Sequence, residues 1–169
     1  MEDGRTVEKT SIGPDGFLGF VVIMGGGKAI SKSVVRIPGH ASWLSVEDLD
    51  AALSQFECVR EVMLRYAKSL ISQLMETVAC NSLHSAEQRV ARWLLTAHDS
   101  VQGDTMDLTQ QAVAESLALR RATVSEICSQ FLASNLIDYS RGKLTVLEHQ
   151  KLEERACECY RRIRHTSLG

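Results

Sequence analysis

The sequence predicts a mainly α-helical fold with small β parts, and three observations carry that prediction. Residues 1–44 mix glycines with β-forming residues, and residues 45 to about 80 keep a helical pattern with no Gly or Pro. The remainder alternates short amphipathic stretches with turn signals. These shifts set three expected regions: a small β remnant over 1–44, a long helix over 45–82 and a compact unit over 83–169.

The first region contains "FLGFVVI", a turn at "GGGK" and then "SVVRIPGHASWL", which reads as about three short strands. Three strands make a poor core alone and must rest on something. Ser45 opens the second region with "SVEDL", a capping-box pattern with Asp48 three residues on. Leu49, Leu53, Val59, Met63, Tyr66, Leu70, Leu74 and Val78 then recur at mostly three- or four-residue steps, one stripe along a helix. The β segment is too small to cover that stripe. A second copy of the helix from Ser45 to Cys80 is the economical cover, so a two-fold homodimer is expected. Burial of the stripe within one chain is the alternative.

After a break at "CNSLH", Ser85 and Gln88 form another capping box and a helix runs to about His98. "SVQGDTMD" reads as a loop. "LTQQAVAESLALRRATVSEICSQFL" gives two helices, "NLIDYSRGKLTVL" a hairpin turning at "SRGK", and "KLEERACECYRRIR" one last amphipathic helix through Leu152, Ala156, Tyr160 and Ile163.

The two-helix stretch has the form of a helix-turn-helix. Thr109 caps the first helix, Val113 and Leu117 line its inner face, and Ala114 is small enough for a close crossing. Ala118 and Leu119 occupy the turn. Val124, Ile127, Cys128 and Phe131 anchor the second helix on one side. Its free face begins with Arg121, Ala122, Ser125 and Glu126, and Arg120 and Arg121 at the interruption put two cations where the helix macrodipole favours anions. Such a placement suits an anionic polymer. In this motif the second helix enters the major groove of double-stranded DNA, and an arginine such as Arg121 can donate two hydrogen bonds to guanine. Thr109, Gln111 and Thr123 are short polar groups at helix starts, suited to phosphate oxygens. Arg141 and Lys143 at the hairpin tip would make a wing over the adjacent backbone. A plain three-helix core shares the two-helix pattern, but the hairpin directly after it points to a winged helix-turn-helix. Ala118 stands where Gly is often found, at a cost of about 1 kcal/mol if the backbone there has positive φ.

From about Arg65 to Tyr160 the sequence resembles the C-terminal part of Crp/Fnr transcription regulators. The likeness rests on "LRYAKSLISQLMETVACNSLHSAEQRVARWLL", "LTQQAVAESLALRRATVSEI", "NLIDYSRGKLTVL" and "LEERACECY". The resemblance implies a β-roll sensor, here partial, then a long dimerisation helix and a winged DNA-binding unit. Its implied partners are DNA, a second copy of the chain and RNA polymerase. The family's roll is more than twice as long as residues 1–44, so this chain looks like one that starts midway through it. The family's cyclic-nucleotide site has a glutamate after a glycine and an Arg-Ser pair further on. Here Phe20 follows Gly19 and "AISKSVV" holds no such pair, so no nucleotide response is expected. Arg121 matches a DNA-reading arginine of the family, whereas its accompanying glutamate and later arginine are replaced by Ala122 and Glu126. Glu126 either accepts from a cytosine amine or faces solvent.

Composition excludes little but agrees. The net charge is −2, with 10 basic and 13 acidic residues up to position 106 and 9 and 8 beyond it. No apolar run reaches the length of a membrane span and the first residues do not resemble a signal peptide, so a cytoplasmic location is expected. The five cysteines, an odd number, are expected to be reduced. Cys157 and Cys159, two apart on the expected last helix, would point to nearly opposite sides, which suggests buried thiols and no metal. His84 and His98 suggest no catalytic triad, and "GGGK" lacks the spacing of a phosphate loop. No enzyme chemistry and no cofactor is therefore expected. The leading expectation is a homodimeric, sequence-specific DNA-binding regulator; its rival is an interaction protein that pairs with a full-length relative.

Overall fold

The computed structural model describes residues 7–14, 16–25, 28–29, 31–36, 38–101 and 103–167. Along the chain run α1 (Phe20–Gly25), α2 (Val46–Gln55), α3 (Glu57–Leu83), α4 (Ala86–His98), β1 (Thr105–Asp107), α5 (Gln110–Leu117) and α6 (Arg121–Ala133). They are followed by β2 (Ile137–Ser140), β3 (Lys143–Val146), α7 (His149–Arg155) and α8 (Cys159–Ser167). The fold is mainly α with small β parts, as the sequence predicts. None of the helices among the described residues is long and apolar enough to cross a membrane.

The three N-terminal strands are not found among the described residues of 1–44; "FLGFVVI" instead contributes to α1. The expected turn at "GGGK" includes residues 26 and 27, which lie outside the described residues. A strand needs a ladder partner, and here the segment meets a helix instead. The Tyr66 hydroxyl donates to the Phe17 carbonyl at 2.9 Å, and the Phe20 ring meets Tyr66 edge-on at 5.7 Å. Further back, Thr10 donates to Gln73 and the Trp93 indole N–H donates to Glu8 at 3.1 Å, so the segment runs along α3 toward α4.

The long helix is also divided. Ser45 caps α2 as expected, accepting from Asp48 N–H at 3.0 Å. Phe56, at φ −121° and ψ 107°, then ends α2 and begins α3. The Arg60 guanidinium donates to the freed Leu53 carbonyl, and Leu49 is buried. The predicted stripe is divided as well. Of its members, Leu53, Val59, Met63, Tyr66 and Leu70 are half-buried within the monomer whereas Leu74 and Val78 are exposed, and Leu64, Ile71 and Met75, outside the predicted stripe, are exposed with Val78. This exposed set occupies a face of its own, because a seven-residue step is close to two helical turns.

Beyond α3 a single core gathers Leu94 and Leu95 from α4, Val113 and Leu117 from α5, Val124, Ile127 and Phe131 from α6, and Ile137, Leu144, Leu152 and Tyr160 from the later elements. Ser85 and Gln88 form the expected capping box of α4. β3 lies between β1 and β2, antiparallel to both. The stretch read as a loop thus contains β1, whose Met106 is buried and whose Thr105 pairs with Thr145 through their hydroxyls at 2.9 Å. The last helix is two helices, interrupted over 156–158. Cys157 and Cys159 therefore do not flank a helix axis; both turn inward beside Cys80. The physical reason is the turn itself, since the two-residue opposition holds only within regular helix.

Candidate nucleic-acid interface

The geometry starts at the end of α5. Thr109 caps its first turn, its hydroxyl oxygen accepting from Ala112 N–H at 3.1 Å, which leaves the hydroxyl proton outside the helix. At the other end Ala118 adopts φ 52° and ψ 40°, the left-handed conformation. Leu119 N–H donates to Ala114 O at 2.9 Å and Ala118 N–H to Glu115 O at 3.4 Å, the paired bonds that close a helix on such a residue. Leu119 then packs half-buried on the core. The Arg89 guanidinium, reaching over from α4, donates to the Leu117 carbonyl at 2.7 Å. Arg89 is a positioning residue that sequence reading missed; nothing in the helical pattern of α4 distinguishes it from an ordinary surface arginine.

The strain at Ala118 gives a prediction. An L-residue in this conformation costs about 1–2 kcal/mol, offset by the entropy glycine loses on folding. Ala118→Gly should stabilise the fold by about 1 kcal/mol, a rise of roughly 2–4 °C in a melting scan. An unchanged or lower midpoint would mean the turn bears no strain.

The corner directs α6 outward. Arg120 is its N-cap residue, with no capping bond from its side chain, and Arg121 is its first residue. Both are exposed, as are Ala122 and Glu126, while Thr123 and Ser125 are half-buried. On the opposite face Val124, Ile127, Cys128 and Phe131 are buried, so the helix can offer only one side to a partner. Burial raises the Cys128 thiol to about 11, so it stays protonated as core. Gln111 is exposed on α5, and its amide N–H donates to Glu115 at 2.9 Å.

The wing follows the sequence expectation closely. β2 and β3 join through Arg141 and Gly142, at φ 52° and 80°, the two positive values that a tight two-residue hairpin requires. Arg141 and Lys143 are exposed. Among the described residues, Arg120, Arg121, Arg141 and Lys143 enter no ion pair; the arginines and lysine that do, such as Arg155 with Glu87 and Arg161 with Glu153, lie on α7 and α8. Four uncompensated cations thus sit at the tip of α6 and the tip of the wing. An exposed helix N-terminus of this kind attracts anions through its N–H groups as well as its side chains.

A helix-turn-helix closed by a wing, with its free helix face and hairpin tip both cationic, defines the class of DNA-binding winged-helix units. Residues 88–155 match the family profile described as a Crp-like helix-turn-helix domain. That part of the chain is similar to this domain in sequence, and the chain is similar in fold to several solved structures. FixK2 from Bradyrhizobium japonicum is similar in fold at 17% identity and TM-score 0.62, over 68% of this chain and 60% of that one. A CooA mutant from Carboxydothermus hydrogenoformans is similar at 20% identity and TM-score 0.55, covering 64% and 54% of the two chains. A CRP-family transcriptional regulator from Thermus thermophilus is similar at 18% identity and TM-score 0.54, covering 62% and 56%. The chain therefore spans between half and about three-fifths of the length of these proteins. No curated protein matches it.

Proposed function

We propose that this chain is a sequence-specific DNA-binding transcription regulator that acts as a homodimer on a near-palindromic site and does not respond to cyclic nucleotides. The observation that carries the reading is the outward first turn of α6, where Arg120 and Arg121 are exposed and, among the described residues, unpaired, beside a wing ending in Arg141 and Lys143. Arg121 reads a base edge, with Ser125 and Glu126 next along the same helix face. Thr109, Gln111, Thr123 and Arg120 hold phosphates, and Arg141 and Lys143 do so from the wing. Two such units about 34 Å apart would meet successive major grooves, so half-site spacing follows from the dimer. RNA polymerase is the expected partner of the DNA-bound form. The nucleotide part rests on Phe20, which follows Gly19 and packs on Tyr66 where the family places a binding glutamate.

The test is selection of a binding site from random duplexes, followed by mobility-shift titration at several salt concentrations. Wild type should prefer the selected duplex over random sequence by at least a thousandfold. Lys143→Ala should weaken binding to every duplex alike and reduce the salt slope by about 1 per subunit. Failure of selection to enrich any sequence would sink the proposal.

A further inference from the structure

The turn between α7 and α8 brings Cys157 and Cys159 against Cys80 near the end of α3 and His84, the residue that caps it. Cys80 Sγ lies 3.5 Å from Cys157 Sγ, and Cys159 Sγ lies 3.7 Å from His84 Nδ1. All four donor atoms fall within 4.8 Å of one another. The three thiols are 0%, 5% and 2% exposed for Cys80, Cys157 and Cys159. We propose that Cys80, His84, Cys157 and Cys159 are the ligands of a structural zinc ion that staples α3 to the turn between α7 and α8.

Three features select this reading. The first is spacing: with Zn–S near 2.3 Å and Zn–N near 2.0–2.1 Å, a tetrahedron has edges of about 3.4–3.8 Å, and the two short donor separations match. An iron–sulfur cluster places its four ligands on two or more irons with sulfides between them, so some of the donors must lie further apart than the 4.8 Å within which all four fall here. The second is the surrounding shell. Glu158 Oε2 lies 3.3 Å from His84 Nε2, so the ring nitrogen that faces away from the thiols has a carboxylate to hold it, the arrangement that fixes a metal-bound histidine's tautomer. The third is charge. Three thiolates, a neutral imidazole and Zn²⁺ sum to −1, and Arg92 is buried beside Cys80 with an Nε that has no hydrogen-bond partner among the described residues. Each thiol that binds gives its proton to solvent. With four protein donors the set is closed and leaves no position for substrate, which makes the ion structural.

The staple joins residues 77 positions apart in the chain, so metal binding adds directly to folding stability. The test uses the full chain, untagged and kept reduced. Elemental analysis should find one zinc per chain, and removing it with a chelator should lower the melting midpoint by about 5–15 °C, restored by zinc. Cobalt(II) added to the stripped protein should give tetrahedral visible bands and thiolate-to-cobalt charge transfer at one equivalent, bleached by zinc. Cys157→Ser should lose those bands and Cys58→Ser, at an exposed cysteine, should keep them. Glu158→Gln should retain the bands but bind 10–100-fold more weakly. Should Cys157→Ser not fold, the wild-type cobalt spectrum decides alone. Folded wild-type protein with octahedral cobalt only, with iron and sulfide instead of zinc, or with a Cys80–Cys157 disulfide would each overturn the proposal. None of these readouts depends on DNA binding.

Discussion

Arg121→Ala should abolish discrimination at one base pair of each half-site while leaving the fold intact. A guanidinium that donates two bonds to guanine contributes about 1–3 kcal/mol of discrimination, so the preference for that base should fall by roughly 5- to 150-fold. The protein should lose little or no stability. Arg121 begins α6 at the positive end of the macrodipole, is exposed and enters no ion pair among the described residues, so its removal relieves a small repulsion. The contrast with Lys143→Ala is the discriminating part. A base-reading residue flattens the preference at one position, whereas a phosphate contact lowers affinity evenly and changes the salt slope. Selection repeated with Arg121→Ala, set beside the wild-type profile, measures the difference. An unchanged base profile would remove Arg121 from the reading role and leave α6 to grip the backbone only.

The parts of this chain that were legible in its sequence are those whose signals are local. Ser45 with Asp48 and Ser85 with Gln88 announce helix starts through bonds spanning three residues; the reciprocal box forms at Ser85, while Ser45 accepts from Asp48 N–H without the return bond to its own backbone N–H. The helix-turn-helix is legible because its burial pattern is dense: Val113, Leu117, Val124, Ile127 and Phe131 all reach the core. The hairpin is legible because Gly142 marks its turn. What escaped is set by distant partners. "FLGFVVI" has strand composition, yet Phe17 and Phe20 settle on Tyr66, 46 to 49 residues on, and part of the segment coils into α1. β1 is three residues long and exists because β3 offers it an edge, too short a stretch for periodicity to show. The break at Phe56 contains neither Gly nor Pro; burial of Leu49 in the shorter α2 accompanies it. The largest consequence came from positions 156–158. Treating that stretch as regular helix sends Cys157 and Cys159 to opposite sides, and the turn that replaces it converges them on Cys80. The Cys-x-Cys and Cys-x₃-His spacings were visible throughout; the pairing of the two motifs needed the fold.

If the proposed homodimer forms along α3, Ile71→Glu should convert it to a monomer and take most of the DNA affinity with it. On α3 the exposed residues Leu64, Ile71, Met75 and Val78 are 64%, 54%, 68% and 67% accessible, an apolar face on a helix of 27 residues interrupted at the exposed Lys68. Full burial of each is worth about 1.5–3 kcal/mol, so recovering about half of that in two copies gives roughly 6–12 kcal/mol. That is the scale needed to offset the rotational and translational cost of association. Ile71 lies inside the stripe, between Leu64 and Val78, so a two-fold axis near it would bring both new carboxylates into one apolar seam. Lost burial and desolvated like charge together should raise the dimer dissociation constant by at least a hundredfold. Because each α3 leads through its C-terminal end into a reading unit, a monomer engages one half-site and loses the affinity that comes from linking two. Sedimentation velocity would report the assembly and a mobility shift on the selected palindrome the affinity, with Glu57→Gln at the exposed start of α3 as the control. A dimer that survives Ile71→Glu would place the interface on another face of the chain.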